Sequence, residues 1–257
     1  MSNYFKDQII TYMGNKRKFL DLINNIVIAI ENCEQKKLVI GEGFSGSGIV
    51  SRLFKTRAKE FHVNDIAGYS YTLNKCYLST PSQEELQNIN DYINQANDFV
   101  NNSRDDLIEP WIQKHWAPNG EITEKDRVYF TEENAKRIDK YRSFIEKVPK
   151  KYRYFLLAPL LVKCSIHNNT NGQFSAFYKN ELGIGQFGGK KNIDIKRITK
   201  KITIPFPVLS VHPCPVNISR ADANEWIKKQ PEMDLVYYDP PYNKHPYSIY
   251  YFLLDII

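Results

Sequence analysis

An α/β fold is predicted, built on a parallel, doubly wound sheet and interrupted by a mainly helical insert. Three observations predict it. Short apolar runs at Leu38 to Ile40, Phe61 to Asn64, Val216 to Ile218 and Leu235 to Tyr238 read as strands. Helical patterns stand between them, and strands alternating with helices imply parallel pairing, with ligands gathered at the carboxyl ends of the strands. From about Thr80 to Pro215 the style changes to polar, Asn-rich helices, then a Gly, Lys and aromatic segment, then the proline-punctuated IPFPVLSVHPCP. The expected organisation is a sheet-bearing domain from residues 1–80 and 215–257, with 81–214 inserted into it.

In order along the chain, residues 16–31 carry Phe19, Leu20, Ile23, Ile26, Val27 and Ile30, the spacing of one helix face. In KLVIGEGFSGSGIVSRLFK a short apolar run gives way to a glycine-rich turn and then to a helical pattern from Ile49, which is strand, loop and helix. Phe61 to Asn64 repeats the strand signal and ends on Asp65. After the insert, Asp222 to Lys229 reads as a short helix with an acid at its start. Leu235 to Tyr238 is the last strand, read as buried, and an acid, two prolines and a tyrosine follow it.

The bulk numbers bound the answer. With 257 residues, 42% hydrophobic and 13% aromatic content, the chain can bury a sizeable core in one or two domains. No run of 18 apolar residues exists and MSNYFKDQII has no signal-peptide pattern, so neither a membrane span nor secretion is expected and the cytoplasm is the default. Cys33, Cys76, Cys164 and Cys214 are scattered without a CxxC pair, which argues against a disulfide framework and a zinc site. The net charge of +6 is unevenly placed: Lys136 to Arg153 holds eight basic residues against two acidic, and Lys179 to Lys201 seven against two. Such runs are either a solvated surface or a phosphate-binding face.

Gly41, Gly43, Gly46 and Gly48 let the backbone turn sharply and approach a ligand at the start of the following helix. By itself a glycine loop is also a plain strand-to-helix turn. Asp65, at the end of the next strand, stands where α/β nucleotide folds place the acid that accepts hydrogen bonds from ribose hydroxyls. The phosphate fingerprint GxxxxGK[ST] is absent, and Glu42 in the loop repels a pyrophosphate but suits a cation. An adenosine with a positively charged tail, S-adenosylmethionine, fits better. In DPPY, Asp239 is suited to accept hydrogen bonds from an aromatic amine, a poor nucleophile that must be oriented before it reacts. The rigid Pro240-Pro241 step offers the carbonyl of Pro240 as a second acceptor, and Tyr242 offers a flat face on which a base can stack.

Three blocks, YMGNKRKFL (Tyr12 to Leu20), GEGFSGSGIVSRLF (Gly41 to Phe54) with VND (Val63 to Asp65), and DLVYYDPPYNKHPYSIYYF, together resemble the Dam-like, alpha-ordered DNA adenine methyltransferases. HNNTNGQFSAFYKNELGIGQFGG extends the resemblance over nearly the whole chain; Gly43, where relatives often carry proline, departs from it. The resemblance implies a Rossmann-like, S-adenosylmethionine-dependent fold and methyl transfer to the 6-amino group of adenine in double-stranded DNA. It places Tyr12, Lys16, Phe44, Gly46, Gly48, Asp65 and Asp239 at the cofactor, and Asp239, Pro240 and Tyr242 at the reacting base. The base must flip out of the duplex to reach them, and the insert becomes the recognition region. Restriction-modification systems are the expected setting, with a cognate restriction endonuclease as companion.

Outside the resemblance, Lys16 is one of three neighbouring basic residues on a solvated helix start. His167, His212 and His245 lack ligand spacing, and Trp111 and Trp116 are expected to pack the insert's core. Rival readings are a methyltransferase for RNA or a protein amide, and a non-catalytic DNA-binding partner with the same fold. Members of the resembled family continue past DPPY with further strands, so a missing C-terminal segment or a C-terminal partner chain is also expected.

Overall fold

Strand, glycine turn, helix and acid appear in the computed structural model where the apolar runs put them. It describes residues 3–7, 9–189, 192–242, 244 and 246–257, so Lys190 and Lys191 of the second basic run, and His245, lie outside the described residues. In chain order the elements are α1 (Asn3–Lys6), α2 (Leu20–Glu34), β1 (Val39–Glu42), α3 (Ile49–Lys55), β2 (Glu60–Asn64), α4 (Gly68–Tyr77), α5 (Gln83–Asn102), α6 (Trp111–Trp116), α7 (Glu132–Lys147), α8 (Lys150–Ile166), α9 (Ile195–Thr199), β3 (Val216–Ser219), α10 (Ala223–Ile227), β4 (Leu235–Tyr237) and α11 (Tyr247–Ile256). They form two compact units, Met1–Ser82 with Pro207–Lys244, and Gln83–Phe206 with His245–Ile257.

The first unit holds the sheet, in the order β3-β2-β1-β4 with every pair parallel. Ile40, Phe61 and Val63 are fully buried and meet Leu20 and Val27 of α2 and Ile49, Val50 and Phe54 of α3. Because β2 and β4 flank β1 on opposite sides, the strand order reverses there, and the carboxyl ends of β1 and β4 border the crevice where open α/β sheets take ligands. The last strand is half-buried rather than buried, and Tyr238, just past it, is 48% exposed. Among the described residues β4 has one strand neighbour instead of two, so its apolar residues are covered less completely.

Residues 16–31 do not form one helix. Asn15 accepts a hydrogen bond from the Arg17 amide and starts a 3-10 turn over Lys16–Phe19, and α2 follows. Phe19 and Ile26 are half exposed, because they lie roughly a third of a turn round the helix from the buried pair Leu20 and Val27. All seven residues of α3 are buried, Arg52 and Lys55 included. A buried cation requires partners. Arg52 donates to the carbonyls of Tyr4 (2.7 Å) and Asp7 (2.9 Å) and stacks on the ring of Tyr77, and Lys55 donates to the carbonyl of Cys214.

In the second unit α7 packs against α5, α6 and α8. Phe252 of α11 stacks near Trp116 and Tyr129, and the carbonyl of Tyr250 accepts from the Phe174 amide. Trp116 thus packs as expected, whereas Trp111 is 43% exposed and stacks on His115, one turn along the same short helix. Part of each basic run is committed inside the unit. Arg137 donates to the carbonyl of Ile202 and to Asn101, Lys140 to the carbonyl of Ser103 and to Asp105, and Arg153 to the carbonyl of Val148. Arg197 donates to the carbonyls of Ile166, Asn168 and Thr170, where α8 ends. His167 is buried there, with Nδ1 2.8 Å from the carbonyl of Arg197. A charge count in sequence sees none of these partners, so for Arg137, Lys140, Arg153 and Arg197 the structural reading replaces the phosphate-binding one.

Candidate active site

The site is built where β1, β2 and β4 end. After Glu42 the chain turns through Gly46 (φ 52°) and Gly48 (φ 74°), both in the left-handed region that side chains disfavour, and enters α3. At Gly46 space is limiting too: a Cβ would lie 2.8 Å from the ring of Tyr12. Asp65, just past β2, fixes this loop from the side. Its Oδ2 accepts from the Gly46 amide (2.7 Å) and its Oδ1 from the Ala67 amide (2.9 Å), so the expected ribose acid is already committed to positioning the loop. A carboxylate offers about four acceptor positions, so further donors still have a place.

Polar residues that the sequence reading passed over complete the frame. Asn64 donates to the carbonyls of Gly43 (3.2 Å) and Ala221 (3.0 Å) and accepts from the Ala221 amide, tying the glycine loop to the turn after β3. Ser45 Oγ pairs with Ser70 Oγ (2.9 Å) and accepts from Asn74 (2.7 Å) on α4. The available signal was a polar residue in the last position of an apolar strand, in VND, where an Asn side chain has a loop to hold.

Asp239, Pro240 and Tyr242 follow β4, and Tyr12, Gly14 and Lys16 meet them or the glycine loop. Lys16 Nζ lies 2.6 Å from Asp239 Oδ2, donates to the carbonyl of Gly14 (3.1 Å) and stands 5.3 Å from the centre of the Tyr242 ring. Burial pulls the Lys16 ammonium down, but the hydrogen bond and charge of Asp239 outweigh it and hold it above the ordinary value. Lys16 is therefore a firm cation against the acid of DPPY rather than a solvated member of a basic trio. Gly14 (φ 73°) has no room for a Cβ against the Tyr242 hydroxyl, so the first block and the DPPY loop are packed together. The ring of Phe44 meets that of Tyr238 edge-on at 6.2 Å. Pro240 and Tyr242 are exposed, Tyr242 by 64%.

Glu42 is the most unusual group. It is 1% exposed, and Ser51 Oγ donates to its Oε2 at 2.6 Å. Burial, relieved in part by Ser51 and reinforced by the charges of Asp65 and Asp239, pushes its carboxyl up to about 8.

A model of the D12 class N6 adenine-specific DNA methyltransferases matches residues 12–256. The chain belongs to this family. Among curated proteins it is 29% identical to the Type II methyltransferase M.NlaIII of Neisseria lactamica and 28% identical to the Type II methyltransferase M.CviAII of Paramecium bursaria Chlorella virus 1, each over 96% of this chain and 68% of the relative. It is also 29% identical to the Type II methyltransferase M.FokI of Planomicrobium okeanokoites, over 96% of this chain and 36% of that protein. As a D12 class enzyme it methylates adenine in DNA and uses a methyl-donor cofactor. Among the described residues no helix is long and apolar enough to cross a membrane.

Proposed function

We propose that this D12 class methyltransferase takes the methyl group from S-adenosylmethionine, acts on adenine within a specific sequence of double-stranded DNA, and serves as the modification enzyme of a cytoplasmic restriction-modification system beside a cognate endonuclease. The observation that carries the reading is the convergence of the glycine loop and the DPPY loop on the switch point between β1 and β4, with Lys16 bridging to Asp239 at 2.6 Å. The residues fit this donor: a left-handed glycine loop that side chains would fill, an acid holding that loop, and a buried carboxyl without a cationic partner at the end of β1 among the described residues.

In this reading Tyr12, Phe44, Gly46, Gly48 and Asp65 hold the donor, and Lys16 orients Asp239 through Oδ2. Bound there, S-adenosylmethionine supplies an electrophilic methyl group on a positively charged sulfur. Asp239 Oδ1 and the carbonyl of Pro240 accept the two amine hydrogens, which draws the nitrogen lone pair out of conjugation and aims it at the methyl group. The Asp239 carboxylate also stabilises the positive charge that develops on the amine. The exposed face of Tyr242 stacks on the flipped base. Residues 83–206 read the DNA sequence, a role supported by the resemblance of residues 167–189 to restriction-modification enzymes.

Asp239→Ala tests the assignment. Loss of a preorganised electrostatic group should lower methylation by at least about 100-fold while duplex binding persists. Methylation near the native rate in that variant refutes the role of Asp239.

A further inference from the structure

We infer that Glu42 carries a proton in the ligand-free protein and gives it up to solvent when the cationic donor binds, so that donor capture releases one proton per site. The inference deepens the S-adenosylmethionine reading and rests on it.

The geometry is that of a carboxyl with no counter-charge. Glu42 ends β1, is 1% exposed, and among the described residues is hydrogen-bonded only by the Ser51 hydroxyl of α3. The groups that face it from the flanking strands are Asp65 after β2, Asp239 after β4, and the Tyr237 hydroxyl on β4. Asp65 and Asp239 are acids; Tyr237, pushed up to about 12 first by burial and then by the charges of Asp239 and Glu42, stays neutral. The neighbouring cations are engaged elsewhere. Lys16 is paired with Asp239, Arg52 of α3 with the carbonyls of Tyr4 and Asp7, and Lys55 of α3 with the carbonyl of Cys214.

A carboxyl removed from water and surrounded by like charge keeps its proton. That agrees with the value of about 8 to which burial and the acids push it. A ligand that brings a positive charge into the glycine loop reverses the balance: the O–H bond of Glu42 breaks, the proton leaves to solvent, and the carboxylate pairs with the incoming cation. No electrons move and no second reactant is needed.

Calorimetric titration of the 257-residue chain with S-adenosylmethionine at pH 7, in phosphate and in Tris, counts the released protons from the different ionisation heats of the buffers. The expected result is close to one proton per bound donor for the unaltered chain and a count lower by that amount for Glu42→Gln, which keeps the shape of the protonated side chain. The donor's own amine titrates identically in both proteins and cancels in the difference. Between pH 6 and pH 8 the affinity of the unaltered chain should also rise by up to about tenfold per unit more than that of the variant, and the gap should level off above pH 8. Binding with the same proton count in both proteins overturns the inference and leaves the cofactor reading intact. No binding of S-adenosylmethionine by the unaltered chain overturns the cofactor reading and this inference with it.

Discussion

At the scale of single residues, the site is held by side chains that work on the backbone of the glycine loop before any ligand arrives. Asp65 grips the Gly46 amide, Asn64 the Gly43 carbonyl, and Lys16 the acid of DPPY. The same close packing makes Glu42 a stability determinant. Its carboxyl is raised from 4.5 to about 8 in the folded chain, so between those values the folded state binds more protons than the unfolded one. Its contribution is full below pH 4.5 and is lost as pH rises to about 8. Glu42→Gln should therefore lose less stability than the unaltered chain between pH 6 and pH 9, by on the order of 2 kcal/mol, in urea unfolding followed at both pH values. Parallel losses in the two proteins would show that Glu42 is ionised when folded. The identity of these residues was legible in sequence where a motif named them, as with Gly46, Asp65 and Asp239. The pairing of Lys16 with Asp239 was not, because a contact between two motifs more than 200 positions apart leaves no local pattern.

At the scale of elements, strand positions were legible to within a residue or two, because short apolar runs bounded by glycine or an acid have few other uses in an α/β chain. Sheet order was not, since the backbone hydrogen bonds that set β4 beside β1 carry no side-chain signature. Part of the basic runs was illegible for a related reason: the guanidinium groups of Arg137, Arg153 and Arg197 close helix ends and loops from within. Arg197, which donates to three carbonyls at the end of α8, separates the two readings. Arg197→Met should strip those carbonyls of their donor and lower the melting temperature, at a cost of about 2 kcal/mol. The salt dependence of DNA binding should keep its slope. An unchanged melting temperature with a slope reduced by about one unit would return Arg197 to the phosphate backbone.

At the scale of the molecule, one unit carries the parallel sheet with every candidate cofactor and catalytic residue, and the other is helical and carries the segment proposed to read sequence. The family match runs through both. The central claim is that the DPPY loop presents the 6-amino group of adenine, and no other amine, to the methyl donor. Incubating the protein with duplex DNA and S-adenosylmethionine labelled on the methyl group, then digesting the DNA to nucleosides, tests it most directly. The label should run with N6-methyldeoxyadenosine and be absent with Asp239→Ala. Label on methylated cytosine, or on protein or RNA in place of DNA, would contradict it.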